Sequence, residues 1–311
     1  MISRILSARS FIIALALAGI CLASLPAATQ VDLSAASSTA LELVRATVAN
    51  EVAAANANSI KHMFRDHKKT AQGSQTRLYV ETRQAMAGMT ISYDDKPLTP
   101  QQLQGEEGRL AGLVNNPDQL ARKQKQEKDE AYRTLCIVKA LPDALLFDYD
   151  GTEVGTASVG KEGLHLLRLK FRPNPAYRPP SHVEEVLVGM SGFLLIDPAS
   201  HRIARIDGTL FKEVNFGWGI LGHLNRGGHF FVEQQNLSDG SWDVSCMRLD
   251  FTGKILLFKN IAIKSNEVFT DFRQVPADTT FAQGVQMLKA EQAKMAQGGA
   301  ETARAASGRA R

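Results

Sequence analysis

Three glycines in the second half of the chain are spaced as in a phosphate-binding loop. Gly217, Gly219 and Gly222 match the pattern G-x-G-x-x-G. In a dinucleotide-binding domain these glycines lead into a helix whose N-terminus meets the pyrophosphate. Here the paired glycines Gly227 and Gly228 follow, and paired glycines do not continue a helix. We therefore predict a glycine-rich connector without a bound nucleotide or other cofactor.

The connector carries large apolar side chains at Phe216, Trp218, Ile220 and Leu221. Apolar groups on such a segment either fold onto the core or are presented to a ligand. We predict these four residues as the contact for a ligand or partner protein, with core packing as the alternative.

A metal site is not predicted. His223 and His229 are six residues apart, but zinc needs a third and a fourth ligand, and no further His or Cys lies near them in the sequence. His165 or His201 could reach them only through the fold.

Catalytic signals are equally weak. Residues 148–153 are rich in carboxylates, but Gly151 stands at the fourth position of this segment, whereas a calcium loop needs glycine at the sixth. We therefore expect a turn between two strands. Ser191 is not in a nucleophile elbow, whose pattern is G-x-S-x-G. Gly189 supplies the first glycine of this pattern, but Phe193 stands in place of the second. No catalytic residue is predicted, and a hydrolase with a site invisible in sequence remains the second alternative function.

The first 28 residues have the order of a secretory signal. Arg4 and Arg9 precede the apolar run 11–22, and small residues follow at Ala27 and Ala28. We predict a signal peptide over 1–28 and a periplasmic or secreted protein, with an uncleaved anchor as the alternative. Ile20 before Cys21 disfavours a lipoprotein signal, which needs a small residue there.

The composition limits which partners and membrane segments the chain can have. About 280 residues remain after residue 28, and the formal charge of +4 falls to about +2 without Arg4 and Arg9. That charge is too small to indicate nucleic acid binding. No later segment is apolar over about 18 residues, so no transmembrane span is expected in the mature chain. Cys136 and Cys246 can either pair or remain thiols.

Helical periodicity occurs in three places. Apolar residues recur at three and four positions over 39–58. Residues 99–141 form a helical insertion in which Thr99 is the expected cap and Asn115-Asn116-Pro117 divides two helices. A short helix is expected over 281–295, and residues 296–311, with little apolar content beyond alanine, are predicted to be disordered.

The segments between these helices are predicted to form antiparallel β-strands. Residues 76–83 alternate, and 144–276 contain successive strands separated by turn signals, including Asp197-Pro198, Asp239-Gly240, Thr252-Gly253 and Ser265-Asn266. Four prolines in 172–180 exclude this segment from a central strand, so it is expected to be a long loop over the sheet or its edge.

This order of elements, with the runs 192–198, 202–206 and 269–273, resembles the lipoprotein-carrier (LolA-like) superfamily of envelope proteins. The run 216–224 is also similar to a group of uncharacterised secreted bacterial proteins. The superfamily resemblance implies an α+β fold, in which a curved antiparallel sheet (an incomplete barrel) has helices covering its concave face.

From this resemblance and the pattern we expect residues 29–295 to form a single domain. The function implied is a non-enzymatic periplasmic binder or carrier of a lipid or other apolar ligand. The alternative is an envelope protein–protein interaction or sensing module, with the Trp218 segment or the charged helix at 118–135 as its contact surface.

Overall fold

The computed structural model describes residues 34–57, 60–216, 221–255 and 259–308. The predicted signal peptide 1–28 lies outside them. The elements, in chain order, are α1 (Ser34–Asn56), β1 (Lys61–Thr70), β2 (Gly73–Val80), β3 (Ala87–Tyr93), β4 (Lys96–Pro97), α2 (Pro100–Asn115), α3 (Pro117–Ala144), β5 (Leu145–Val154), β6 (His165–Pro173), a 3-10 helix (Glu184–Gly189), β7 (Met190–Asp197), β8 (Arg202–Leu210), β9 (Val214–Phe216), β10 (Gly222–Leu224), β11 (His229–Asn236), β12 (Trp242–Ile255), β13 (Lys259–Val275) and α4 (Phe281–Gly308).

The chain divides into two compact units. The first combines residues up to Ala57 with Glu130–Lys264, and the second combines Asn58–Asp129 with Ser265 to the C-terminus. Helix α3 and strand β13 each contribute residues to both.

The strands follow the hydrogen-bonding order β4-β3-β2-β1-β13-β12-β11-β8-β7-β6-β5, and β10 pairs with β9 and β12 beside this path. The ladders described between these strands are antiparallel. The sheet is not closed, because β4 and β5 stand at the two ends of the order. The predicted α+β class with an open antiparallel sheet and packed helices is confirmed.

In the first unit, α1 packs on β5 and β8. Val44 and Val48 on α1 are buried, as the predicted apolar face requires. Glu51, which the periodicity places on the polar face, is also buried, with 3% of its surface exposed. Its carboxylate accepts hydrogen bonds from the Arg202 guanidinium at 3.0 and 3.1 Å and from the backbone N–H of Ile203 at 2.9 Å. The salt bridge therefore fixes α1 on β8.

In the second unit, α2 and α4 contact β3, and α4 also contacts β2. The buried side chains that form this core include Met63, Leu78, Val80, Met89, Leu110, Phe281 and Leu288. Helix α2 begins as predicted, because Thr99 forms a capping box with Gln102 and Pro100 occupies the first turn.

Several predicted boundaries are wrong. The Thr252-Gly253 and Ser265-Asn266 pairs lie inside β12 and β13 and not in turns. A Cβ at Gly253 would overlap the carbonyl oxygen of His223 on the neighbouring strand, so this glycine serves a close backbone approach. Residues 148–153 lie inside β5, where the pairing with β6 is irregular between Tyr149 and Thr152.

Two further segments differ from expectation. The stretch 183–189 is a 3-10 helix and not the beginning of a strand. Helix α4 continues to Gly308, through most of the segment predicted to be disordered. Alanine, glutamine and arginine are strong helix formers, and a prediction from apolar content alone misses this propensity.

Candidate functional site

Two of the four predicted contact residues, Phe216 and Leu221, lie at the β9–β10 pair. Phe216 ends β9 and is half-buried, and Leu221 lies just before β10. The Leu221 N–H donates to the Phe216 carbonyl oxygen at 3.3 Å, so the structure brings these two residues together. Trp218 and Ile220 lie outside the described residues. A strand, not a helix, follows at Gly222, so the helix required for dinucleotide binding is not there.

A different part of the first unit forms a cavity of about 530 Å³. We call it the α1–β5 cavity, because its wall is built from one face of α1, the start of β5 and the proline-rich loop after β6. Its lining residues are Leu41, Arg45, Pro142, Asp143, Leu145, Leu146, Phe147, Asp148, Arg172, Asn174, Ala176, Tyr177 and Arg178. The predicted contact residues Phe216 and Leu221 do not belong to this lining.

Helix α1 contributes two residues of opposite character. Leu41 and Arg45 are four positions apart, so they lie on the same helical face one turn from each other. Leu41 is half-buried and Arg45 is exposed. This face of α1 therefore offers the cavity an apolar group followed by a cation.

Strand β5 supplies the apolar floor. Leu145 and Phe147 are buried, with 1% and 4% of their surface exposed, and Leu146 between them is half-buried. Successive side chains of a strand point to opposite faces. Among the described strands, β5 is the last in the hydrogen-bonding order and pairs with β6 alone. Residues from both faces of β5 line the cavity beside this free edge.

Asn174 holds the loop that lines the opposite side. Its backbone N–H donates to the Ala144 carbonyl oxygen at 2.8 Å, and its side-chain Nδ2 donates to the Asp143 carbonyl oxygen at 2.9 Å. Its Oδ1 accepts from the Ala176 N–H at 3.0 Å, the arrangement of an Asx-turn. The loop predicted over 172–180 begins later than expected, because Arg172 and Pro173 end β6 and pair with Leu146 and Leu145 of β5. Residues 174–183 form the loop, and Asn174 joins it to Ala144 and Asp143.

The mouth of the cavity is charged. Arg45, Asp143, Asp148, Arg172 and Arg178 are exposed, which places the charges at the solvent side and the aliphatic and aromatic groups inside. Arg172 Nε lies 3.9 Å from an Asp148 carboxylate oxygen. Arg178 Nη1 donates to the backbone carbonyl oxygens of Pro175 and Tyr177 at 2.9 and 3.0 Å.

Tyr177 is one of the lining residues. Its hydroxyl oxygen is buried and has no hydrogen-bond partner among the described residues. Burial, followed by the nearby carboxylates of Glu184 and Asp143, raises the pKa of the hydroxyl, so it stays protonated. A buried hydroxyl without a partner costs about 1–3 kcal/mol.

The lining combines apolar, guanidinium, carboxylate and amide groups. Among the described residues, no group of three or more His, Cys, Asp or Glu side chains is placed to hold a metal ion. No helix in the described ranges is long and apolar enough to cross a bilayer. Cys136 and Cys246 are not joined in a disulfide.

A second polar cluster occurs in the second unit, on β1 and β13. Asp66 and Glu267 are buried, with 4% and 0% of their surface exposed. Burial, and then the charge of Glu267, raise the pKa of Asp66 to about 8. Lys68 Nζ lies 2.9 Å from Glu267. Sequence reasoning did not identify this cluster, because Asp66 and Glu267 lie in different parts of the chain.

The α1–β5 cavity lies beside the helix predicted over 39–58, but its lining residues were not predicted. Only the fold shows that this helix and the proline-rich loop face the same strand. Arg45 and Tyr177 carry no local signal of a shared site.

Known structures resemble this chain only remotely. An outer membrane lipoprotein-sorting protein domain from Vibrio parahaemolyticus is 12% identical, with a TM-score of 0.28, over 78% of this chain and 97% of that domain. A DUF1329 family protein from Desulfovibrio piger is 8% identical, with a TM-score of 0.28, over 78% of this chain and 94% of that protein. No protein-family model and no curated protein match the chain.

Proposed function

We propose that this chain binds the acyl chain of a lipid or a similar amphipathic molecule in the α1–β5 cavity and that it acts as a binder or carrier and not as an enzyme. The observation that carries the proposal is the cavity of about 530 Å³ with an apolar floor and a charged mouth. Small-molecule sites typically have volumes of roughly 300–1,000 Å³ and are mostly apolar with a few placed polar groups. The predicted signal peptide supports an envelope or secreted setting.

The energetics favour an apolar chain. Leu41, Leu145, Leu146 and Phe147 give the cavity aliphatic and aromatic surface, and each buried CH₂ contributes about 0.8 kcal/mol. That contribution corresponds to about a fourfold gain in affinity per methylene at room temperature. The gain should continue until the chain fills the cavity and then level off.

A series of straight-chain fatty acids of increasing length tests the proposal. The mature chain is stripped of lipid by organic extraction and refolding, and binding is followed by native mass spectrometry and calorimetry. We expect one-to-one complexes whose affinity rises with each methylene and then reaches a plateau. A clean apo mass for the extracted protein with no uptake of any fatty acid would overturn the proposal.

A matched pair of variants locates the site. Ala176 is exposed at the mouth of the cavity, and Ala157 is an exposed alanine of the same unit outside the lining. Ala176→Trp places an indole over the cavity and should abolish or strongly reduce uptake, whereas Ala157→Trp should leave it unchanged. Equal binding by both variants would show that the acyl chain does not enter this cavity.

The alternative proposal is an envelope interaction module, and one observation favours it. Helix α3 bears charged pairs such as Lys125–Asp129, whose Nζ and Oδ2 atoms are 2.8 Å apart. Tyr132 on the same helix is also exposed, with 67% of its surface accessible. A large aromatic group on a charged helix is typical of an interface anchor. Pull-down from membranes with Tyr132→Ala and Trp218→Ala discriminates the two, because loss of partners with intact lipid uptake supports the interaction module.

A further inference from the structure

We infer that the ligand of the α1–β5 cavity has a negatively charged headgroup, a carboxylate or a phosphate ester, held at the mouth by Arg45 and Arg178. This inference rests on the proposed function and names the class of molecule that the same cavity selects.

The charge of the lining is the first argument. Three guanidinium groups face two carboxylates, so the lining has a net charge of +1. The Arg172 and Asp148 side chains lie near each other, at 3.9 Å. The excess positive charge is therefore carried by Arg45 and Arg178 against Asp143. An anion at the mouth would balance it, while a cationic headgroup would add to it.

The arrangement of donors is the second argument. Arg178 uses only Nη1 for its contacts with the loop carbonyl oxygens of Pro175 and Tyr177, and a guanidinium has five N–H donors in a planar fork. Its remaining N–H groups can hold an oxyanion in the bidentate manner that arginine favours. The loop hydrogen bonds hold Arg178 in place before the ligand arrives.

A headgroup series at constant chain length tests the inference. Dodecyl phosphate, dodecanol and dodecyltrimethylammonium carry the same alkyl chain and differ only at the head, whereas dodecanoate has one methylene fewer, so its affinity understates the preference for an anion. We expect both anions to bind about three- to tenfold more tightly than the alcohol, as for a partly exposed ion pair, and the cation to bind most weakly. The preference should shrink with added salt. The tighter of the two anions identifies the headgroup source.

Single substitutions assign the preference to named side chains. Arg45→Gln and Arg178→Gln should each weaken dodecanoate binding and leave dodecanol binding unchanged. Arg226→Gln is the matched control, because Arg226 is an exposed arginine of the same unit outside the lining.

The outcomes distinguish a failure of the proposed function from a failure of the headgroup assignment. If neither dodecanoate nor dodecanol binds, the proposed function fails and the inference falls with it. If dodecanol or the cation binds as tightly as the anions, or if Arg45→Gln and Arg178→Gln behave like Arg226→Gln, the cavity takes acyl chains but the headgroup assignment is wrong.

Discussion

Glu51 on α1 and Arg202 on β8 form a buried salt bridge between residues 151 positions apart in sequence, at 3.0 Å. The carboxylate also accepts from the Ile203 N–H, and the Arg202 guanidinium lies 5.5 Å from the centre of the Trp242 ring. These contacts hold the helix that forms one wall of the α1–β5 cavity. The integrity of the cavity therefore depends on an ion pair outside its lining.

Removing one partner of this salt bridge should be costly. Glu51→Ala leaves the Arg202 charge buried without its carboxylate, and we expect a loss of about 3–5 kcal/mol in the free energy of unfolding. Glu42→Ala, at an exposed position of the same helix, should cost much less. Urea denaturation of both variants measures the difference, and equal losses would show that the salt bridge does not anchor α1.

Asp66 should make stability depend on pH. Its pKa rises from an ordinary value of 3.8 to about 8 in the folded protein, so between these values the folded state keeps a proton that the unfolded chain has released. Stability should therefore be greatest below about pH 4 for this group and fall as the pH rises toward 8, by at most about 1.4 kcal/mol per pH unit. Asp66→Asn should make this slope smaller in denaturation measured across the interval.

The control for this pH dependence is Asp278→Asn, an exposed aspartate of the same unit. It should keep the slope of the parent protein. Because burial also raises the pKa of Glu267, a residual slope of the same sign is expected in Asp66→Asn. An Asp66→Asn variant with the full parental slope would contradict the assignment.

Two glycines should respond in opposite directions to alanine. A Cβ at Gly192 on β7 would overlap the carbonyl oxygen of Asp207 on β8, and one at Gly108 on α2 would meet nothing within 4 Å. Gly192→Ala should therefore cost about 1–3 kcal/mol through overpacking, whereas Gly108→Ala should add about 0.5–1 kcal/mol by stiffening the helix. Chemical denaturation of the pair is the measurement, and a stabilising Gly192→Ala would show that the strands separate there without cost.

Cys136 and Cys246 should both be alkylated by a thiol reagent without prior reduction. Neither is joined in a disulfide, and burial raises the pKa of the Cys246 thiol, which lowers its thiolate fraction. We expect Cys246 to react slowly in the folded protein and both thiols to react rapidly in denaturant. An alkylated mass that changes only after reduction would reveal a disulfide instead.

Local signals in the sequence predicted much of the secondary structure. Thr99 and Pro100 predicted the beginning of α2, and Asn116 and Pro117 its separation from α3, because caps and proline act within one turn. Asp239-Gly240 predicted a turn correctly, since Gly240 has a φ of 81°. In each of these cases, the determining interaction lies within a few residues.

The failures have a common physical origin. Gly253 looked like a turn residue and serves a close approach to the backbone of His223, and Glu51 looked solvated and is buried against Arg202. The α1–β5 cavity is assembled from Leu41, Leu145 and Tyr177, which local patterns treat separately. Pairing between distant segments decides all of these, and a single sequence does not encode that pairing in any short pattern.

The position of β5 at the end of the strand order has a consequence for ligand exchange. Its outer edge has no neighbouring strand in that order, and the loop beside it is joined to Asp143 and Ala144 by two hydrogen bonds of Asn174. If the α1–β5 cavity takes up a ligand, as we propose, breaking these two hydrogen bonds would widen its entrance at the end of the β5–β6 pairing.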